Sequence, residues 1–335
     1  MTRRGRRPLI AALAGIVVAG LLAVGCGGDD EGEREPFALA LDFYVNPDHA
    51  GIYRALERGD FAEAGLDVEA QVPSDPSAPI RQVAAGRVDL AISYQPEVLL
   101  AREQGLPVVA VAALVPRPLT SLISLPEAGI VEPADLAGKT IATAGIPYQA
   151  AFLEAILESA ALTPDDVDQV EVGFNLLPAV LSGRADAMLG GFLNVEGVDL
   201  AERGRSPRVV PVDELGIPTY DELVLVASEE RLDSDPESIR RFIAALERGT
   251  RDAVANPDLA TEAVLEAGDG LEPRLTAAEV RRTLPLLVPK VKGEPFGYMD
   301  PGEWAAFAAF MAERGLVKTS ARADQALTNE LLSGD

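Results

Sequence analysis

From Pro36 onward, short apolar runs alternate with stretches whose apolar residues recur at helical spacing. Phe37-Ala38-Leu39-Ala40-Leu41 reads as a strand. Ala50 to Ala64 carries Ile52, Tyr53, Leu56 and Phe61 at helical spacing and stops before Gly65. Asp67 to Val72 alternates as a second strand, Ile80 to Ala85 is a short helix, and Asp89 to Ser93 is a third strand. Strands alternating with helices predict βαβ units and a mostly parallel sheet, hence an α/β fold.

The pattern then repeats. Gly86-Arg87-Val88-Asp89-Leu90-Ala91-Ile92-Ser93 is echoed by Gly183-Arg184-Ala185-Asp186-Ala187-Met188-Leu189-Gly190. A helix precedes each copy, and a helix ending in Gly105 or Gly204 follows. Upstream, Asn46-Pro47-Asp48-His49-Ala50 is echoed by Ile146-Pro147-Tyr148-Gln149-Ala150, with Pro placed to open a helix in each case. Two echoing α/β lobes put strand ends and helix N-termini along one crevice, where open α/β sheets bind ligands. The expected division is residues 36–122 for the first part of lobe 1, 123–222 for lobe 2, and 223–335 for the return to lobe 1. The links fall near Thr120–Pro126 and Tyr220–Val226. The last part is read as helical over 238–256, 258–267, 276–287 and 301–314, packing back on the first lobe.

Ahead of the repeat, Arg3, Arg4, Arg6 and Arg7 precede an apolar run from Pro8 to Gly25, which ends in Leu22-Ala23-Val24-Gly25-Cys26. A basic segment, an apolar segment and small residues before a break read as a signal peptide over 1–26. A Cys just after the small residues resembles a bacterial lipoprotein box, with Cys26 as the lipidated residue. A single transmembrane anchor is the alternative, and the run is barely long enough for it. Residues 27–35, with nothing apolar to bury, are expected to form a flexible tether. The implied location is the outer face of the cell membrane.

Composition narrows the chemistry. The 335 residues include 53 acidic and 29 basic side chains, a net charge of −24, which argues against binding nucleic-acid phosphates. The chain has one Cys and one His, so it can close no internal disulfide and build no His/Cys metal site of the usual kind. Gly138-Lys139-Thr140 lacks the earlier Gly of a phosphate-binding loop, where Pro133 stands, and leads into a strand rather than out of one. Asp165-Asp166-Val167-Asp168 follows Thr163-Pro164 and reads as a helix start, not a calcium loop. No cofactor or metal is implied.

Polar and aromatic residues do gather at the ends of the echoing strands: Phe43, Tyr44, Asn46, Asp48, His49, Ser93, Tyr94 and Gln95 from the first half. Gly145, Tyr148, Gln149, Phe174, Asn175, Phe192, Asn194 and Glu196 come from the second. In a chain only 5% aromatic, this clustering favours platforms that stack a flat ligand, with core packing as the alternative for any one ring. Glu196 reads as a carboxylate aimed into the crevice or as part of a solvated loop. His49, near a helix start, can hydrogen-bond a ligand, cap the helix or sit in the core.

These residues also carry a family resemblance. Leu41 to Tyr53, Pro73 to Pro79, Ser93-Tyr94-Gln95-Pro96, Gly173-Phe174-Asn175-Leu176, Gly190 to Gly197 and Pro218 to Leu223 resemble motifs of the thiamin-pyrimidine-precursor binding proteins. The resemblance runs from about Ala38 to Ser228. It implies a type II periplasmic-binding-protein fold of two Rossmann-like lobes with a ligand cleft between them. It also implies a solute-binding protein of an ABC importer, with permease and ATPase partners and an aminopyrimidine ligand such as formylaminopyrimidine. Carried over position by position, the ligand-binding residues are Phe43, Asn46, His49, Tyr94, Phe192, Asn194 and Glu196. Relatives usually carry Trp where this chain has Phe43, and Tyr-Trp where it has Phe192-Leu193, so another flat heteroaromatic such as riboflavin, or a sulfonate, is the alternative. The same superfamily holds a pyrimidine-precursor synthase with a Cys-rich iron-binding cluster. The only Cys of this chain lies in the export segment, so an enzyme is not expected.

Overall fold

The computed structural model describes residues 34–318 and 323–333. The expected signal peptide, most of the expected tether and Cys26 lie outside them. Ten strands form two five-stranded sheets. In chain order they are β1 (Glu35–Ala40), β2 (Leu66–Gln71), β3 (Leu90–Ser93), β4 (Val108–Val115), β5 (Thr120–Ser124), β6 (Thr140–Thr143), β7 (Asp168–Glu171), β8 (Ala187–Phe192), β9 (Arg208–Pro211) and β10 (Leu223–Ser228).

The first sheet runs β2-β1-β3-β10-β4 and the second β7-β6-β8-β5-β9. In the first, β1 pairs parallel with β2 and β3, while β10 runs antiparallel to β3 and β4. The second sheet repeats this arrangement: β6 is parallel to β7 and β8, and β5 is antiparallel to β8 and β9. The chain is thus a two-lobed α/β protein. Each sheet takes its one antiparallel strand from the chain as it crosses between lobes.

The repeated Gly-Arg-x-Asp has a structural role that is the same in both lobes. Asp89 Oδ2 accepts the Ala38 N–H at 2.7 Å, and Asp186 Oδ2 accepts the Thr140 N–H at 2.8 Å. The two Asp N–H groups donate back to the carbonyls of Ala38 and Thr140. Each Asp therefore ties the entrance of a central strand, β3 or β8, to the strand beside it, β1 or β6. The Gly of each copy, Gly86 and Gly183, turns the chain at a left-handed φ of +64° and +72°.

Every residue of β3, β4, β5 and β10 is buried, including the Thr and Ser of β5 and edge strand β4, so these strands are covered on both faces. The stretch read as one helix from Ala50 to Ala64 is two, Ala50–Arg58 and Asp60–Glu63, because Gly59 takes a left-handed φ of +77°. The helices after β10 are Pro236–Ala255, Pro257–Ala267, Pro273–Thr283 and Pro301–Glu313. The first of them lies along Ala50–Arg58, close enough that both helices use glycine at the crossing. A Cβ on Gly249 would stand 2.5 Å from the Gly51 carbonyl oxygen and 2.6 Å from the Ala55 nitrogen. Among the described residues no helix is long and apolar enough to cross a membrane.

That crossing yields a stability prediction. Gly249→Ala gains helix propensity but drives a methyl into backbone atoms, and overpacking of this kind costs about 1–3 kcal/mol. Urea unfolding should show the net loss; a variant as stable as the parent would mean that the two helices are not held at this distance.

Candidate functional site

The C-terminal ends of β1, β3, β6 and β8 face a common narrow cavity, about 420 Å³ of non-atom space when the open solvent at its mouth is included. Asp42, Phe43, Asn46 and Tyr94 line it from the first lobe. Ala144, Ile146, Tyr148, Gln149, Leu176, Gly190, Phe192 and Glu196 line it from the second. Its place at strand ends between two α/β sheets follows from the topology.

Asp42 is the centre of the first wall. It is 1% exposed, and both oxygens are engaged: His49 Nε2 lies 2.9 Å from Oδ1, and the Tyr94 hydroxyl donates to Oδ2 at 2.9 Å. The other His49 nitrogen, Nδ1, accepts the Asn46 N–H at 3.3 Å. An acceptor at Nδ1 places the neutral ring's proton on Nε2, which therefore donates to Asp42. His49 is completely buried behind Asp42 and does not line the cavity. It closes the helix cap begun by Asn46, whose side-chain oxygen accepts the Asp48 N–H at 2.8 Å. The Asn46 amide nitrogen donates to the Tyr44 carbonyl, so both ends of that side chain are used within the loop.

Glu196 opens the helix Glu196–Glu202 in the second wall. Its Oε2 accepts the Phe192 N–H at 2.7 Å, and no side chain among the described residues donates to its other oxygen. Burial pushes its carboxyl above the usual range, and the Phe192 N–H opposes that shift. Four rings, Phe43, Tyr94, Tyr148 and Phe192, line the same cavity. Tyr94 and Tyr148 approach from opposite lobes with centroids 5.7 Å apart. Beside them, Phe174 of the second lobe packs on Phe43 at 4.5 Å and on Tyr44 at 4.3 Å.

Of the residues proposed from sequence, Phe43, Asn46, Tyr94, Phe192 and Glu196 come together on the cavity, and His49 and Asn194 do not. Asn194 is fully buried at the seam between lobes, where its Nδ2 donates to Asp48 Oδ1 and to Thr283 Oγ1, both at 2.8 Å. The cavity residues left out of that set include Asp42, Tyr148 and Gln149. The signal for the last two was the echo itself, because Tyr148-Gln149 stands where Asp48-His49 stands in the first lobe. Among the described residues, no three His, Cys, Asp or Glu side chains are grouped so as to hold a metal ion.

Comparison with known proteins decides the family. A model described as "NMT1/THI5 like" matches residues 46–260. The chain belongs to the NMT1/THI5-like family. Within it, a formylaminopyrimidine-binding protein of Halalkalibacterium halodurans is 36% identical over 298 residues, covering 88% of this chain and 90% of that protein. A putative thiamine biosynthesis protein of Haemophilus influenzae is 34% identical, covering 85% and 88%. A 4-amino-5-hydroxymethyl-2-methylpyrimidine phosphate synthase of Aspergillus parasiticus is 30% identical, covering 68% and 69%. Among solved structures, the alkanesulfonate-binding protein SsuA of Xanthomonas axonopodis pv. citri, bound to MOPS, superposes with a TM-score of 0.70 at 16% identity. That match covers 89% of this chain and 99% of SsuA. A Candida albicans protein described as having the generic periplasmic binding protein structural fold matches with a TM-score of 0.64 at 13% identity, covering 90% and 98%. This NMT1/THI5-like chain thus has the periplasmic-binding-protein fold.

The seam beside the cavity carries a charge imbalance. Glu279, on the helix Pro273–Thr283, is 6% exposed, and its carboxyl is pushed up to about 8 by burial and then by Asp199, Glu196 and Asp48, against Arg203. Asp48 is likewise held well above the usual carboxylate range by burial, with Asn194 opposing. A raised folded-state pKa means that the folded protein holds a proton which the unfolded chain releases above about pH 4.5. The stability Glu279 gives is complete below that pH and is lost as pH rises toward 8. Glu279→Gln should therefore gain stability over the parent through this window, by an amount that grows with pH to several kcal/mol, about 4 at most, by pH 8. Thermal melting at pH 5, 6.5 and 8 checks this; a constant offset would show that Glu279 ionises normally in the fold.

Proposed function

We propose that this chain is the extracytoplasmic solute-binding protein of an ABC importer, with an aminopyrimidine precursor of thiamin as its ligand. It would hand that ligand to a permease driven by an ATPase. The observation that carries the reading is Glu196: a carboxylate with one oxygen anchored on the Phe192 N–H and the other unused by side chains, inside a cavity walled by aromatic rings. A carboxylate accepts from an exocyclic ring amine, and ring faces bury the flat remainder. The relative named for formylaminopyrimidine binding supports the same reading. In it, lobe 1 comprises residues 36–122 and 223–335, lobe 2 comprises 123–222, and Cys26 is the lipidated membrane tether after the signal peptide is removed.

A binding role is preferred to catalysis by the fate of the reactive side chains. The one His of the chain is locked behind Asp42, holding a helix cap and orienting that carboxylate. Phe43, Asn46, Tyr94, Phe192 and Glu196 form the proposed ligand surface, with Asp42 added to it. His49 acts through Asp42, and Asn194 acts across the seam.

Titration calorimetry of the mature protein against formylaminopyrimidine, hydroxymethylpyrimidine, thiamin, riboflavin and taurine tests the proposal. An aminopyrimidine should bind most tightly, and Glu196→Gln should weaken it by about 1–2 kcal/mol or more, roughly 5–30-fold. A flavin response with none to the pyrimidines would sink the ligand assignment. Conversion of the ligand during incubation would reinstate an enzyme.

A further inference from the structure

One polar group on the cavity wall is used by nothing described so far. Gln149 is 2% exposed and sits in the first turn of the helix Pro147–Ser159. Its Oε1 accepts the Ala144 N–H at 2.9 Å. That bond fixes the amide's orientation, because only the oxygen end can accept. Nε2 is therefore turned away from Ala144 and lies along Gly190, itself a cavity residue: a Cβ there would stand 2.3 Å from Nε2. Among the described residues Nε2 makes no hydrogen bond, and it is not one of the fully enclosed unpaired side-chain atoms, so it keeps access to the cavity that Gln149 lines. A donor held in this orientation at the cavity wall is suited to an acceptor that arrives from the cavity.

The other polar groups of the cavity are already committed. The Asp42 oxygens are taken by His49 and Tyr94, and the Asn46 amide is consumed within its own loop. Glu196 offers an acceptor and Gln149 a donor. We propose that the Gln149 side-chain amide is a specificity-determining residue, donating a hydrogen bond to an acceptor atom of the ligand and selecting ring compounds that carry both an amine and such an acceptor. This deepens the aminopyrimidine reading and rests on it. A pyrimidine nitrogen or the oxygen of a 5-substituent has the required chemistry, whereas a ligand presenting a donor at that place would be rejected.

Gln149→Glu tests the assignment, since it keeps an oxygen for the Ala144 N–H and replaces the donor with a second acceptor. Calorimetry with formylaminopyrimidine at pH 8 should show affinity at least about tenfold below the parent. As pH falls toward 5 a growing fraction of the new carboxyl is protonated and can donate again, so the ratio of parent to variant affinity should shrink. A merely structural role would leave that ratio flat with pH, and equal affinity at pH 8 would refute the proposal. Should the variant fail to fold, glutamine-amide-labelled wild-type protein gives a second readout: the Gln149 N–H resonances must move when formylaminopyrimidine is added. An unmoved pair counts against the assignment. If the parent ignores aminopyrimidines but binds riboflavin, the ligand reading fails separately, and the same comparison on riboflavin still decides whether Gln149 donates.

Discussion

The two lobes are held by a crossing of strands, and one carboxylate ties that crossing. Glu222, completely buried just before β10, accepts the N–H groups of Leu119 and Thr120 at 2.7 Å and the Tyr220 hydroxyl at 2.9 Å on one oxygen. Its other oxygen accepts the Thr120 hydroxyl at 2.9 Å. Leu119 precedes and Thr120 begins β5, by which the chain leaves the first sheet, and Glu222 stands where it returns. Burial raises this carboxyl, and its four donors compensate in part. Without this acceptor, the two backbone N–H groups would be stranded in the core. The crossing is thus both the covalent link between lobes and a satisfied polar knot that fixes where each sheet begins.

From that constraint the cavity follows. With β5 and β10 fixed, the ends of β1 and β3 face those of β6 and β8, and whatever side chains follow those ends become the walls. Asp42 follows β1, Tyr94 follows β3, and Glu196 follows β8 by four residues. The wall groups are then oriented by bonds behind them. His49 and Tyr94 aim Asp42, the Phe192 N–H aims Glu196, and the Ala144 N–H aims Gln149. Supporting bonds of this kind hold recognition groups in place before a ligand arrives, which reduces the ordering cost of binding.

Much of this was legible in the pattern of residues. Period and punctuation separated strands from helices, and the Gly-Arg-x-Asp echo marked equivalent places in two sheets. The family motifs picked out Phe43, Asn46, Tyr94, Phe192 and Glu196. What sequence could not supply was depth. His49 and Asn194 are polar residues at strand ends, as Glu196 is, yet the first is buried behind the wall and the second at the seam. Their positions depend on a turn of one helix and on the approach of Thr283 from far along the chain, which no local pattern encodes. Gln149 failed in the opposite direction. The echo aligned it with His49, but only the Ala144 bond shows that its amide is turned to the cavity while the imidazole is turned to Asp42.

The seam adds a last constraint on how such a protein works. Asn194 bridges Asp48 and Thr283, and Phe174 packs on Phe43 and Tyr44, so these contacts exist only while the lobes are together. Against them, the same approach brings Asp48 and Glu279 toward Glu196 and Asp199, and this crowding raises the carboxyls of Asp48 and Glu279. Aromatic and amide contacts therefore favour the approach of the lobes and carboxyl crowding opposes it. Glu196 and Gln149 both stand on the second lobe, so a ligand bonded to them would favour the approach of the lobes only through the faces it also offers to Phe43 and Tyr94 of the first. Contact with both lobes at once is the condition under which binding shifts a two-state equilibrium.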